Sequence, residues 1–225
     1  MSMTTARAVS WVEQGLVPDR VVRLGIRRLL KERLAEVHAA DAQAAEEANQ
    51  AFIEEMRRAP IALVPEKANE QHYEVPAEFF ARTLGPHRKY SSRFWAEGVE
   101  DLGQAEAAAL AITCEQDESD WMSRHFFSGG MMPSDDLALN FQDDLRRMKR
   151  WRWDGTHYQK TAEAWLRHMD AARDELMPLM VSTYGAAADT SWQRWRLFFM
   201  SVAELFGHAD GQQWWVSHYL FAKRA

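Results

Sequence analysis

The chain has 225 residues, 47% hydrophobic and 27% charged, the balance of a soluble globular protein long enough to bury a sizeable core. Its net charge of -6 argues against a general nucleic-acid binder, whose affinity rests on neutralising phosphates, and no apolar run approaches the roughly 18 residues of a membrane span. The N-terminus MSMTTARAVSW lacks the apolar core and cleavage site of a signal peptide, and the single Cys114 cannot form an intrachain disulfide, so a cytoplasmic location is expected.

Asp19 to about Val37 reads as an amphipathic helix, with Val22, Ile26, Leu29, Leu30, Leu34 and Val37 at helical spacing. Its second stripe, Arg20, Arg23, Arg27 and Lys31, is either a solvated face or a surface lying near acidic groups or anionic lipid. Asp41 can cap a second helix that stops at Pro60. IALVPEKANEQHYEV, 61–75, has two prolines and no period, which predicts an ordered loop. PAEFFARTLGP predicts a short helix, with proline at its start and Gly-Pro past its end. Asp101 to Glu115 predicts another, facing inward with Leu102, Ala105, Ala109 and Ile112.

Trp121 to Met132 shows no clear period, and Ser134 is placed to cap a helix starting at Asp135. WRWDG, 151–155, alternates large apolar with polar residues and reads as a short strand. Thr156 to Tyr184 predicts one long helix, kinked near Pro178 and closed by Gly185. Ser191 to Phe206 predicts an aromatic helix with Trp192, Trp195, Phe199 and Val202 on one side. QWWVSHYLFAK, 213–223, reads as a second strand. The fold class is therefore mainly α with a small antiparallel β ribbon (α+β), its strands at about 151–154 and 213–223. Two strands leave open edges, so pairing with a second copy is a natural expectation.

Other chemistries find little support in the residues. The eight histidines show no metal-ligand spacing, so no metal site is expected. Asp135-Asp136 reads as a capped helix start and Asp143-Asp144 as a polar face. A lone cysteine in an alanine-rich helix is an inert small hydrophobe.

HYEVPAEFF followed by LGPHRKYSSRFW resembles the N-terminal approach to the active site in the cyclopropane-fatty-acid synthase family of S-adenosylmethionine-dependent methyltransferases, closest to its coclaurine N-methyltransferase-like branch. FFSGGMMPSDDL, WDGTHYQKTAEAWL, WQRWRLFFMSVAELFG and GQQWWVSHYLF resemble the segments that follow the cofactor domain in that branch. The resemblance covers nearly the whole chain, in order. It implies the flanking helical and C-terminal parts of a Rossmann-like fold without its central parallel sheet, because the glycine-rich turn that meets the cofactor has no counterpart. None of the eleven glycines forms Gly-x-Gly, and the resemblance implies that a segment on the order of 100 residues is absent between Glu115 and Asp117. The family's Glu-His pair, in a segment resembling FEHM, is absent too.

The resemblance further implies roles for what remains. Tyr73, Tyr90 and Ser91 match positions at the methionine end of S-adenosylmethionine; each tyrosine can equally be a boundary residue. Tyr158, the candidate catalytic residue, matches a tyrosine that lines the active site in the cyclopropane-forming branch. His157 beside it belongs to the substrate pocket or caps a strand or helix end. Trp192, Trp195 and Phe199 match a pocket wall suited to a cationic or planar amine, and fit a core stripe as well. The implied substrate is a small amine or a lipid alkene. Residues 1–115 form a helical lid or cap region, and 116–225 a substrate-pocket region with the two edge strands. The expected function is that of a methyltransferase-family protein lacking catalytic competence alone. The alternative is a helical interaction or oligomerisation module, or an engineered or natural deletion variant.

Overall fold

The computed structural model describes residues 3–36, 41–58, 75–114 and 135–223. Among them α1 spans Met3–Glu13 and α2 Asp19–Glu36, close to the predicted amphipathic helix. α3 spans Ala42–Arg58, and Asp41 caps it as predicted: its Oδ1 accepts the amides of Gln43 and Ala44, both at 3.1 Å. α4, Ala77–Thr83, follows Pro76, and α5 covers Leu102–Cys114 with Leu102, Ala105 and Ala109 buried. Apart from Val75 the loop predicted at 61–75 lies outside the described residues, as do Tyr73, the stretch 121–132 and the junction at 115–117.

Past the junction the structure differs from expectation in three places. Asp135 starts no α-helix; a turn leads into a 3-10 turn at Leu137–Asn140. The two aspartates instead face arginines of the following strand, with Arg150 3.0 Å from Asp135 and Arg147 3.2 Å from Asp136. That strand, β1, spans Leu145–Trp153, longer than WRWDG because its leading LRRMKR is exposed except for the half-buried Arg147 and carries no alternating apolar signal. The long helix is two, α6 at Gly155–Ala171 and α7 at Arg173–Tyr184, broken at Ala172. Pro178 sits inside α7 without the N–H that would reach the Asp174 carbonyl, and the helix restarts just upstream of that defect. Gly185 ends α7 at φ 54°, a conformation costly for a residue with a Cβ.

α8 spans Ala188–Gly207, and β2 spans Val216–Lys223 and pairs with β1 in an antiparallel two-stranded sheet. The fold is mainly helical with this one ribbon among the described residues. No described helix is long and apolar enough to cross a membrane.

The chain divides into two compact units. One comprises Met1–Leu29, Val75–Thr113 and Trp153–Val216; the other comprises Leu30–Glu74, Cys114–Arg152 and Ser217–Ala225. In the first, α6 packs along α8. Ala162, Trp165, Leu166 and Met169 face Phe199, Met200 and Ala203, all buried in one core with Phe79, Leu84, Leu176 and Met180. Gly155 makes that approach possible: a Cβ there would lie 2.1 Å from the Phe206 carbonyl oxygen and 2.3 Å from that of Trp214. In the second unit the ribbon is tied down at its start, where Ser217 Oγ and Tyr219 Oη donate to the side chain and the carbonyl of Asp135.

The arginine stripe of α2 divides between the two readings left open for it. Arg23 donates to Glu163 of α6 at 2.5 Å and to Glu204 of α8 at 3.0 Å, and Arg27 reaches Glu204 at 2.5 Å. Arg196 of α8 grips Asp19 at the start of α2 and Asp170 at the end of α6, each at 2.8 Å. With Val22 buried between them, these pairs seat the first part of α2 on α6 and α8. Arg20, by contrast, is exposed.

Candidate functional site

The segment after α4 has no regular structure of its own, so its backbone needs partners elsewhere. Glu106 supplies them. This fully buried carboxylate accepts the amides of His87 and Lys89, each at 2.7 Å, and Arg93 Nη2 at 2.6 Å. Arg93 is equally buried; its Nη1 donates to the Ser91 carbonyl, and its backbone N–H reaches Thr161 Oγ1 of α6 at 3.2 Å. Thr161 Oγ1 also accepts Trp95 Nε1, while His157 Nδ1 accepts the Trp95 amide at 2.9 Å. The KYSSRFW stretch is thereby stitched to α5 on one side and α6 on the other.

This stitching sets Tyr90 among aromatic rings. It lies 5.3 Å from Phe80 and 5.4 Å from Trp165, ring centre to ring centre. Tyr158 on α6 stands edge-on to Trp165 at 5.9 Å and against Phe206 at 4.5 Å. Trp195 and Phe199 of α8 close the group, Trp195 4.8 Å from Phe79 and Phe199 5.7 Å from Trp165. The Arg93 guanidinium covers the Trp165 ring at 4.8 Å. Trp165 Nε1 is buried with no acceptor among the described residues. Burial pushes the Tyr158 hydroxyl up to about 12, with Arg93 opposing, and raises that of Tyr90 further, aided by Tyr158. Both phenols are neutral hydrogen-bond donors near pH 7.

Of the predicted residues, then, Tyr90, Tyr158, Trp195 and Phe199 share one cluster. Trp192, two turns before Phe199 on the same buried stripe, meets the Arg173 guanidinium of α7 at 5.8 Å instead. Ser91 turns to Lys89, whose Nζ donates to its hydroxyl. His157 stacks on Phe94 at 4.9 Å; burial lowers its pKa, and Nδ1 already accepts a hydrogen bond, so it braces the segment as a neutral imidazole. Tyr73 lies outside the described residues. An open cleft of about 480 Å³ lined by Glu13, Gln14, Gly15, Arg173, Asp189, Thr190 and Gln193 holds none of the predicted residues.

Sequence reasoning passed over Arg93, Glu106, Thr161 and Trp165. A signal existed for Glu106, a charge on the same helical stripe as Leu102, Ala105 and Ala109. An acid there needs a buried partner.

The arrangement offers two phenol donors, aromatic faces and one orphaned indole N–H. In Rossmann-type folds a glycine turn between a parallel strand and a helix meets the nucleotide part of the ligand. The sequence has no Gly-x-Gly, and the described residues hold only the two-stranded ribbon.

No family model matches the chain. (S)-coclaurine N-methyltransferase of Thalictrum flavum subsp. glaucum is 35% identical over 113 residues, covering 48% of this chain and 31% of that protein. Its counterpart in Papaver somniferum is 34% identical over 112 residues, with 48% and 32% covered. Pavine N-methyltransferase of Thalictrum flavum subsp. glaucum is 30% identical over 112 residues, again with 48% and 32% covered. The chain thus matches about a third of the length of these curated relatives. A crystal structure of coclaurine N-methyltransferase bound to N-methylheliamine and SAH superposes with a TM-score of 0.88 and 21% identity, covering 98% of this chain and 100% of that one. At that identity the superposition speaks for the fold. Sequence likeness over half the chain and fold likeness over nearly all of it agree: the chain is similar to the coclaurine N-methyltransferases in both.

Proposed function

We propose that this chain carries the substrate-wall and lid parts of an amine N-methyltransferase and does not transfer a methyl group by itself. The observation that carries the reading is the pairing of a preserved aromatic wall, Tyr90, Tyr158, Trp195 and Phe199, with a chain that has no Gly-x-Gly turn. Methyl transfer depends on holding donor, methyl and acceptor in line inside a dry site. The wall suits a cationic or planar amine, since ring faces attract positive charge, and an amine is favoured over a lipid alkene by the N-methyltransferase relatives. A single cysteine supports a reducing, cytoplasmic setting for it.

Isothermal calorimetry of the folded chain with S-adenosylmethionine tests the reading. Heats no larger than dilution are expected at micromolar ligand. A micromolar Kd overturns it.

A second reading, a helical module that associates through its ribbon, is favoured by one feature: Leu145, Met148 and Phe221 are exposed large apolar side chains on the two strands. An open strand edge beside such residues invites pairing with a second copy.

A further inference from the structure

Lys89 stands in an unusual electrostatic position. It is half-buried beside Arg93 and Glu106, so two cations share one carboxylate. Glu106 is committed elsewhere: its oxygens take Arg93 Nη2 and the amides of His87 and Lys89, and no hydrogen bond joins it to the Lys89 ammonium among the described residues. Arginine does not give up its proton in proteins. The cluster therefore keeps one excess positive charge in a poorly solvated place unless Lys89 loses its own, which is the cheaper outcome.

Hydrogen bonding points the same way. Nζ donates to Ser91 Oγ and, at 2.7 Å, to the Ser92 carbonyl. Two acceptors match the two hydrogens of a neutral amine, whereas an ammonium has a third hydrogen with no acceptor among the described residues. In the neutral form the remaining corner of the nitrogen is its lone pair.

We propose that Lys89 is a nucleophilic amine and a site of acylation by acyl thioesters. An amine attacks a thioester without further activation provided it is neutral. The Nζ lone pair forms the N–C bond at the carbonyl carbon. The C–S bond breaks with its electrons on sulfur, and the proton shed by nitrogen leaves with the thiol. No oxidant, metal or second cofactor enters the balance. Burial, then the neighbouring Arg93, lowers the Lys89 pKa to about 8, with Glu106 opposing, so about half the amine is neutral at pH 8. An ordinary lysine, titrating near 10.4, is then well under 1% neutral.

The intact chain is incubated with acetyl-coenzyme A as probe between pH 6.5 and 9.5, and acetylation at each lysine is read by peptide mass mapping. Lys89 is expected to react roughly tenfold faster than the exposed Lys160 at pH 8, part of its gain in neutral fraction being offset by lower basicity. Its rate should level off above pH 9, and the preference should vanish in urea. A Lys89 rate equal to or below that of Lys160 throughout, in folded protein, overturns the proposal.

Discussion

Glu106 and Arg93 place opposite charges where no water reaches; each finds hydrogen-bond partners in the other and in nearby backbone, while Arg93 Nε has none among the described residues. A pair of this kind adds little net stability as a unit, but breaking it is costly because the survivor is left charged and buried. Glu106→Ala strands the Arg93 guanidinium and two backbone amides. Its expected cost is about 3–5 kcal/mol, seen as a lowered urea midpoint, together with loss of the near-ultraviolet signal from the Tyr90–Trp165 contact. A midpoint within about 1 kcal/mol of the parent would show that the segment does not depend on this carboxylate. The rings differ from this pair in kind. Tyr158 and Phe199 are held by packing against Phe206 and Trp165.

At the scale of elements, the seating of α2 on α6 and α8 is an electrostatic joint over a small apolar contact. Burial alone would raise the Glu204 carboxyl, but hydrogen bonds from Arg27 and Arg23 outweigh it and hold its pKa below the ordinary value. A carboxylate whose folded pKa is depressed contributes stability that is present above its unfolded pKa and lost as pH falls through the folded one. The stability advantage of the parent over Glu204→Gln should therefore be constant near neutrality and shrink below about pH 4.5, measured by urea denaturation across pH. An advantage that persists unchanged to about pH 3 would sink this account. Arg27 is 56% exposed, and its own removal should cost under about 1 kcal/mol.

For the molecule as a whole, likeness of fold and likeness of sequence differ in extent. The superposition runs across nearly the whole chain, while the curated relatives are matched in sequence over about a third of their length, so likeness of fold reaches further than likeness of sequence. If the ribbon edges pair with a second copy, the melting temperature should rise with protein concentration, because association draws on the folded state alone. A melting temperature unchanged over a hundredfold concentration range, with a monomeric sedimentation coefficient, removes that reading.

The sequence by itself determined the helices with strong periodic or capping signals: α2, α3 with its Asp41 cap, α4 between prolines, and the aromatic α8. These elements carry their instructions locally, in apolar spacing and in side chains that bond their own backbone. It also carried the likeness to the coclaurine N-methyltransferases, through motifs that run in order, and the absence of any Gly-x-Gly, through an inventory of every glycine. Only the tertiary structure decided that the long helix breaks at Ala172, that β1 begins at Leu145, and that Arg23 and Arg27 face Glu163 and Glu204. It alone gathered Tyr90 and Tyr158 around Trp165, and parted Ser91 and Trp192 from them. The physical reason is common to all of these. A salt bridge such as Arg23–Glu163 joins residues 140 positions apart, and a buried charge such as Glu106 looks like any surface glutamate until its partner Arg93 is seen beside it.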